Sequence, residues 1–402
     1  MGAALDAPLQ GLEARDRRLA HELSAGVLRR QQELDAALDL RRVDPRLHDI
    51  LRLGVYQLRA LTRVPPHAAV STSVDLAREL AGESAARYVN QALRKLAATT
   101  DHAPQPGSPS HPEWLVRRWR RRFGDAAAAA LIAWNDGKPA LTLQPARWDE
   151  DTVARGLREA GFGVAEAPLG AGLRVTRPAG DARAALSTWP GFSEGGFFVQ
   201  DPAHALVVRY AAIPAGSLVY DACAAPGGKA VALERGGARV VAGDARRDRL
   251  VWLAETTRRC GVAIRLLCAD LEAAPLPGGG VDALLVDAPC TATGTMVRHP
   301  DARQRITARA ITAASDRQRR LLEAAAGLVR PGGILVYATC SLEPEENEAV
   351  VGEFLTRHPE YGRAVQRDAV PERLLTPAGD FQTLPQRDGI DGAFAARLCR
   401  AR

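Results

Sequence analysis

The sequence predicts an α/β protein: a Rossmann-like domain with a doubly wound, mostly parallel sheet, preceded by a small α+β subdomain and an all-α helical domain. Three observations carry this expectation. Residues 12–98 hold helix-type apolar periodicity throughout. Residues 140–190 alternate short strand-like pieces with a helix, and from about residue 200 apolar runs alternate with helical stretches in βα order.

In the first stretch, Leu12, Leu19, Leu23, Val27, Leu34 and Leu38 form one apolar row, and Leu47, Ile50, Leu51, Gly54, Val55 and Leu58 form a second. A third row, at Val74, Leu76, Leu80, Tyr88, Val89, Leu93 and Leu96, follows a break at Pro65 and Pro66. Residues 1–103 therefore form a helical domain, which spacing alone leaves open as either a scaffold or a binding bundle. Residues 99–112, TTDHAPQPGSPSHP, are rich in Pro, Ser and Gly, and a linker is expected at 104–112. WLVRRWRRRFG follows, with arginines at 117, 118, 120, 121 and 122 among Trp114, Trp119 and Phe123. It reads as a basic surface for a phosphate backbone or as a solvated helix with its aromatics packed inward. ALTLQ, LRVTR and a helix over Thr152–Ala160 complete an α+β subdomain at 113–195.

In residues 196–402, candidate strands lie at Leu218–Tyr220, Val240–Ala242, Ile264–Leu267, Ala283–Val286 and Ile334–Tyr337, with helices at Asp248–Cys260 and Ala302–Val329. Val219–Asp244 reads as strand, glycine-bearing turn, helix and strand, so a ligand is expected where the strand ends meet the helix N-terminus. GxGxxG is absent, which favours a mononucleotide-like cofactor such as S-adenosylmethionine over a dinucleotide. Asp244, Asp270 and Asp287 fall at or just past strand ends, which line one crevice in such a fold.

The net charge of +6, carried mostly by arginines, favours an acidic partner, although high Arg and Ala also follow from a GC-rich genome. There is no run of about 18 apolar residues, and MGAALDAPLQG lacks the basic and apolar regions of a leader, so a cytoplasmic address is expected. The six cysteines include no CxxC pair, which supports neither a zinc site nor a disulfide framework and leaves reactive thiols open.

Two of those cysteines, Cys290 in VDAPCTATG and Cys340 in YATCSLEPEEN, fall at strand ends and share the crevice with Asp287. This set suits alkylation of an unreactive ring carbon. Carbon 5 of a pyrimidine is a poor nucleophile until a thiolate adds to carbon 6 and makes the ring enamine-like, and a carboxyl donating to ring N3 stabilises the charge that develops. After transfer the carbon 5 proton must leave and the enzyme must be expelled, a step in which a second thiol can assist. The pattern alone does not say which thiol attacks, because Pro289–Cys290 matches the Pro-Cys nucleophile of DNA cytosine methyltransferases equally well.

DACAAPGGK, LLVDAPCTATG with the following RHPD, and YATCSLEPEEN closely resemble the Sun (Fmu) family, RsmB-like S-adenosylmethionine-dependent RNA cytosine-C5 methyltransferases. FFVQDPA at 197–203 and LPQRDGIDGAF near the end extend the resemblance. LRLGVYQLRALTRVPPHAAVSTSV and RYVNQALRKL are similar to the NusB-like helical domain of the ribosomal branch.

The resemblance implies that Cys340 attacks carbon 6, that Cys290 assists release, and that Asp287 contacts the base or the cofactor's methionine end. It sets the cofactor against Cys223, Ala224, Ala225, Pro226, Gly227, Gly228 and Lys229, with Asp244 on the ribose and Asp270 near the adenine. Lys229 then reaches the cofactor carboxylate or the base, or simply caps the helix start. RNA contacts are expected at Arg117, Arg118, Arg121, Arg298 and His299, and the implied partner is RNA, above all small-subunit (16S) rRNA. No metal, no membrane and a monomeric state are expected. The same chemistry on tRNA or another RNA, and a non-catalytic RNA-binding assembly factor, stand as alternatives. The chain departs from the family at Ala230, where Thr is common, in the basic Arg246 and Arg247, and at Ala393, where one aromatic of the DGFF pattern is lost.

Overall fold

The computed structural model describes residues 9, 11–38, 40, 43–98, 110–178 and 185–402. Most of the expected linker, residues 104–109, lies outside them. The chain divides into two units, one of Met1–Gly137 with Val297–Gln304, the other of Lys138–Met296 with Arg305–Arg402.

Among the described residues the first unit is built from helices Ala14–Ala36, Pro45–Ala60, Pro66–Ala81, Glu83–Ala97, Glu113–Phe123 and Asp125–Asp136. The Asp44 side chain accepts from the Arg46 N–H and Pro45 sits in the first turn, where a missing N–H costs nothing. Pro66 likewise opens the next helix, which accounts for the break in apolar periodicity. Leu51, Val55, Val89 and Leu93 are fully buried, each burial contributing about 1.5–3 kcal/mol. Gly54 lets the helices close, since a Cβ there would come within 2.5 Å of Leu93 Cδ1. The buried stripe is narrower than the apolar rows: Leu12, Leu19, Leu80 and Tyr88 are exposed.

The segment Val297–Gln304 comes from far along the chain but belongs to this unit through Arg303, which is 1 % exposed. Its guanidinium donates to the Arg29 carbonyl (3.0 Å), the Asp136 carboxylate (2.7 Å) and the Asn135 carbonyl. His111, within the stretch read as linker, is buried beside Asn135 and edge-on to Trp119. Burial holds its pKa down at about 2, so the ring is neutral and acts as a packing and hydrogen-bonding group.

The second unit holds two sheets. An antiparallel sheet, order β2-β3-β1-β4, is formed by Leu141–Pro145 (β1), Gly163–Glu166 (β2), Leu173–Thr176 (β3) and Phe197–Val199 (β4), with helix Glu150–Glu159 capped by Asp149. The larger sheet has the order β10-β12-β9-β8-β5-β6-β7. Its parallel core is Leu218–Ala222 (β5), Arg239–Asp244 (β6), Arg265–Cys268 (β7), Val281–Asp287 (β8) and Val329–Thr339 (β9). These are the five strands expected from sequence. Antiparallel Tyr361–Arg363 (β10), Phe381–Thr383 (β11) and Ala393–Arg400 (β12) complete the sheet and were not anticipated.

The expected Ala302–Val329 helix is split into Ala302–Arg305 and Ala308–Ala326, the second capped by Thr307, and it stops short of Val329, which already begins β9. Strand order reverses at β5, with β8 on one side and β6 on the other, and the loops leaving β5 and β8 open a crevice there. Ala393, where an aromatic was expected, lies buried in the core and donates its N–H to Thr383 Oγ1. Among the described residues no helix is long and apolar enough to cross a membrane.

Candidate functional site

β5 ends in DA and turns sharply. Cys223 takes φ +95°, the Ala225–Pro226 peptide is cis, and Gly227 takes φ +109° as the cap of helix Gly228–Arg235. Only glycine adopts that last conformation without strain. The turn is pinned to the neighbouring strand, as the N–H groups of Cys223 and Ala224 both donate to the Gly243 carbonyl (2.9 and 2.8 Å). Burial, with the nearby acids, pushes the Cys223 thiol up to about 12, so it stays protonated.

Around this turn lie several acids. Asp221 is fully buried on β5, and neither of its oxygens has a hydrogen-bond partner among the described residues. Burial, reinforced by Asp287 and Asp244 and opposed by Lys229, raises its pKa to about 7. Asp244, at the end of β6, accepts the Arg246 N–H at Oδ1 (2.9 Å), while buried Oδ2 makes no hydrogen bond and has Arg249 at 3.4 Å. Asp270 is exposed and caps the single turn Leu271–Ala273 through the Glu272 N–H.

Lys229 is buried, and its ammonium donates to Asp287 Oδ2 (2.6 Å) and pairs with His204 Nδ1 (3.1 Å). Lys229 and Asp287, distant in sequence, thus form one group at the ends of β5 and β8. His204 was not anticipated. The only sequence signal for it was its position directly after FFVQDPA.

The two cysteines meet. Cys290 Sγ and Cys340 Sγ are 3.1 Å apart, both half-buried. The hydrogen bond with Cys340, then burial and the nearby charges of Cys340 and Glu346, drive the Cys290 thiol well above its usual range.

Their loops are laced together. The Gly294 N–H donates to the Cys340 carbonyl (3.0 Å), the Leu342 N–H to Thr293 Oγ1 (2.8 Å), and the Gly392 N–H to the Gly294 carbonyl (2.8 Å). Three backbones converge at Gly294, where a Cβ would lie 2.6 Å from the Gly392 oxygen and 2.8 Å from the Cys340 oxygen. Asn347 ties down the TCS turn, accepting from Thr339 Oγ1 (2.6 Å) and donating to the Ser341 carbonyl (2.8 Å). Asp201 Oδ1 caps helix Pro202–Ala211 and also accepts the Asp391 N–H (3.1 Å), joining FFVQDPA to IDGAF.

The expected RNA contacts all lie in the first unit. Arg117 and Arg121 are exposed, Arg117 pairing with Glu113, while Arg118 is half-buried. Leu115 and Trp119 pack inward, so the helix has one buried face and a basic outer one. Arg298 is half-buried and His299 exposed on the Val297–Gln304 segment.

A family model described as 16S rRNA methyltransferase RsmB/F matches residues 212–399, one for the NusB family matches 2–98, and one for the RsmF/B-like ferredoxin-like domain matches 111–180. The chain is 34% identical to the probable ribosomal RNA small subunit methyltransferase B of Synechocystis, with 99% of this chain and 95% of that protein aligned. It is 37% identical to ribosomal RNA small subunit methyltransferase B of Xylella fastidiosa, covering 98% of this chain and 95% of the relative. Among solved structures, that of PH0851 superposes with a TM-score of 0.80 at 26% identity, over 97% of this chain and 91% of that one. The NSun6 structure from Pyrococcus horikoshii shares the fold at a TM-score of 0.62 and 20% identity, over 72% of this chain and 98% of that one.

Proposed function

We propose, since this chain belongs to the 16S rRNA methyltransferase RsmB/F family, that it methylates C5 of a cytosine in small-subunit rRNA through a covalent adduct between Cys340 and C6 of the base. The observation that carries this reading is the meeting of two thiols, 3.1 Å apart, just past the ends of strands β8 and β9, with Asp287 at the end of β8 paired to Lys229 in the first turn of the helix Gly228–Arg235. A structural core has no use for two thiols, a lysine and an acid in one crevice.

S-adenosylmethionine, when bound, supplies an electrophilic methyl on a sulfonium. The residues present fit it. Asp244 Oδ2 is a buried acceptor with no hydrogen bond, suited to a ribose hydroxyl, and the two unpartnered oxygens of Asp221 suit an ammonium. Cys223–Lys229 form the turn against which it would lie.

Cys340 Sγ adds to C6 as the thiolate. Cys290, whose thiol is held up by Cys340 and by burial, stays protonated meanwhile, so the two sulfurs are not charged together. Asp287 is assigned to ring N3, and Lys229 Nζ, donating to Oδ2 (2.6 Å), fixes the orientation of its carboxyl group toward the base. After methyl transfer, Cys290 gives up its own proton to solvent and, as the thiolate, takes the C5 proton, while the C6–S bond breaks and Cys340 leaves as a thiolate. Exposed Arg117 and Arg121, with Arg118, Arg298 and His299, are assigned to the RNA backbone.

Two variants and one sequencing experiment test this. Cys340→Ala is expected to abolish methyl transfer with cofactor binding intact. Cys290→Ala is expected to accumulate a protein–RNA adduct that persists in denaturant. An adduct trapped by Cys340→Ala instead would reverse the two roles. Bisulfite sequencing of rRNA from cells with and without the gene is expected to differ at a cytosine, and identical profiles would refute the rRNA target.

A further inference from the structure

Glu346 ends the single turn Pro344–Glu346 after β9, and its side chain is completely buried. Its carboxylate accepts four hydrogen bonds. Oε2 takes the Thr291 N–H (2.9 Å) and Gln318 Nε2 (3.0 Å), and Oε1 takes Ser341 Oγ (2.6 Å) and the Thr291 hydroxyl. Gln318 donates also to the Pro289 carbonyl (2.9 Å). None of these partners is a cation. Burial raises the carboxyl's pKa and the four donors pull it down, with burial prevailing.

Thr291 directly follows Cys290, and Ser341 directly follows Cys340. Pro289, held through Gln318, directly precedes Cys290. One carboxylate therefore grips the chain on both sides of one thiol and just beyond the other. A buried acid without a counter-charge is a costly way to stabilise a core, because an apolar group of like volume does so without desolvation. What it supplies instead is a fixed spacing between two loops.

We propose that Glu346 is the positioning residue of the thiol pair, setting the separation of Cys290 and Cys340 by tethering Thr291 and Ser341 to one carboxyl group. This rests on the reading of the two cysteines as the reacting pair. The hydrogen-bond pattern separates tether from charge. Both donors on Oε2 are N–H groups that can only donate, whereas both on Oε1 are hydroxyls that can turn and accept. A glutamine with its oxygen at Oε2 and its amide nitrogen at Oε1 satisfies all four partners, so Glu346→Gln keeps the tether and drops the charge. Glu346→Ala loses both.

The test pairs phenylarsine oxide binding with single-turnover methyl transfer on rRNA. The arsenical condenses with two neighbouring thiols, losing water, and so reports the spacing whether or not the protein is active. Wild-type protein is expected to bind one equivalent, lost in Cys290→Ser. Glu346→Ala is expected to weaken that binding at least tenfold and slow transfer at least a hundredfold with KM for RNA unchanged, and Glu346→Gln to restore both to within tenfold of wild type. Wild-type arsenical affinity in Glu346→Ala, or equal impairment of the Ala and Gln variants, would overturn the proposal. If Glu346→Ala fails to fold, Ser341→Ala removes one tether alone, and unchanged arsenical affinity there overturns it equally. A Glu346-dependent arsenical site on a protein that methylates no RNA would uphold the spacing role and refute the function proposed above.

Discussion

Asp221→Asn isolates the electrostatic cost stored at the end of β5. The native carboxyl is fully buried with no hydrogen-bond donor, and its pKa is raised from 3.8 to about 7 by burial, then by Asp287, with Lys229 opposing. A folded-state value above the unfolded one means that the folded protein holds the proton longer. The stabilising contribution is complete below 3.8 and is lost as pH rises through about 7. At 1.36 kcal/mol per pH unit, the loss amounts to about 4 kcal/mol. Asparagine has the same shape and does not titrate. Urea unfolding of the ligand-free wild type and variant, compared at pH 4, 5, 6, 7 and 8, is expected to give a stability difference that shifts toward the variant by about 4 kcal/mol across that range. Carboxylates other than Asp287 and Asp244, whose fields reach Asp221, are common to both proteins and cancel. Parallel profiles would refute the reasoning.

Two further outcomes follow from the same crevice. Asp244→Ala is expected to weaken S-adenosylmethionine binding at least tenfold by calorimetry, and unchanged affinity would refute its ribose role. Gly294→Ala forces a Cβ to within 2.6 Å of the Gly392 oxygen and 2.8 Å of the Cys340 oxygen, both backbone, so nothing can swing aside. Overpacking of that kind costs about 1–3 kcal/mol, read as a lower melting temperature, and a wild-type melt would show the three backbones to be loosely held.

β5, β6, β8 and β9 were legible because each carries a continuous apolar run followed by a turn, the pattern of a strand buried on both faces, and β7, an exposed edge strand, was legible from its place in the βα alternation. β10 and β11 are three residues each, too short to carry a period, and β12, AFAARLCR, looks as much like a helix as a strand. Its identity comes from pairing with β9, which no local window contains. The cysteines and Asp287 were legible for a chemical reason, since thiols and acids at strand ends share one crevice. Glu346 was hidden in EPEEN, where a run of acids reads as a solvated helix start, and nothing local tells which of them turns inward. Asp221 sat inside an apolar run as a strand terminus, and its lack of a partner is a property of three dimensions. Leu80 and Tyr88 show the converse, apolar residues in helical register that nevertheless face solvent.

Arg303 bears on the order in which the protein comes into being. Its guanidinium fills a cage of the Arg29 and Asn135 carbonyls and the Asp136 carboxylate, all of which leave the ribosome long before residue 303 is made. At roughly 5–20 residues per second, on the order of ten to thirty seconds of synthesis separates Asp136 from the cation that neutralises it. The helical unit is thus the first to be translated and yet cannot be completed first. A nascent chain stalled or truncated between Gly137 and Val297 would carry that cage unfilled, which marks an unfinished polypeptide by chemistry alone.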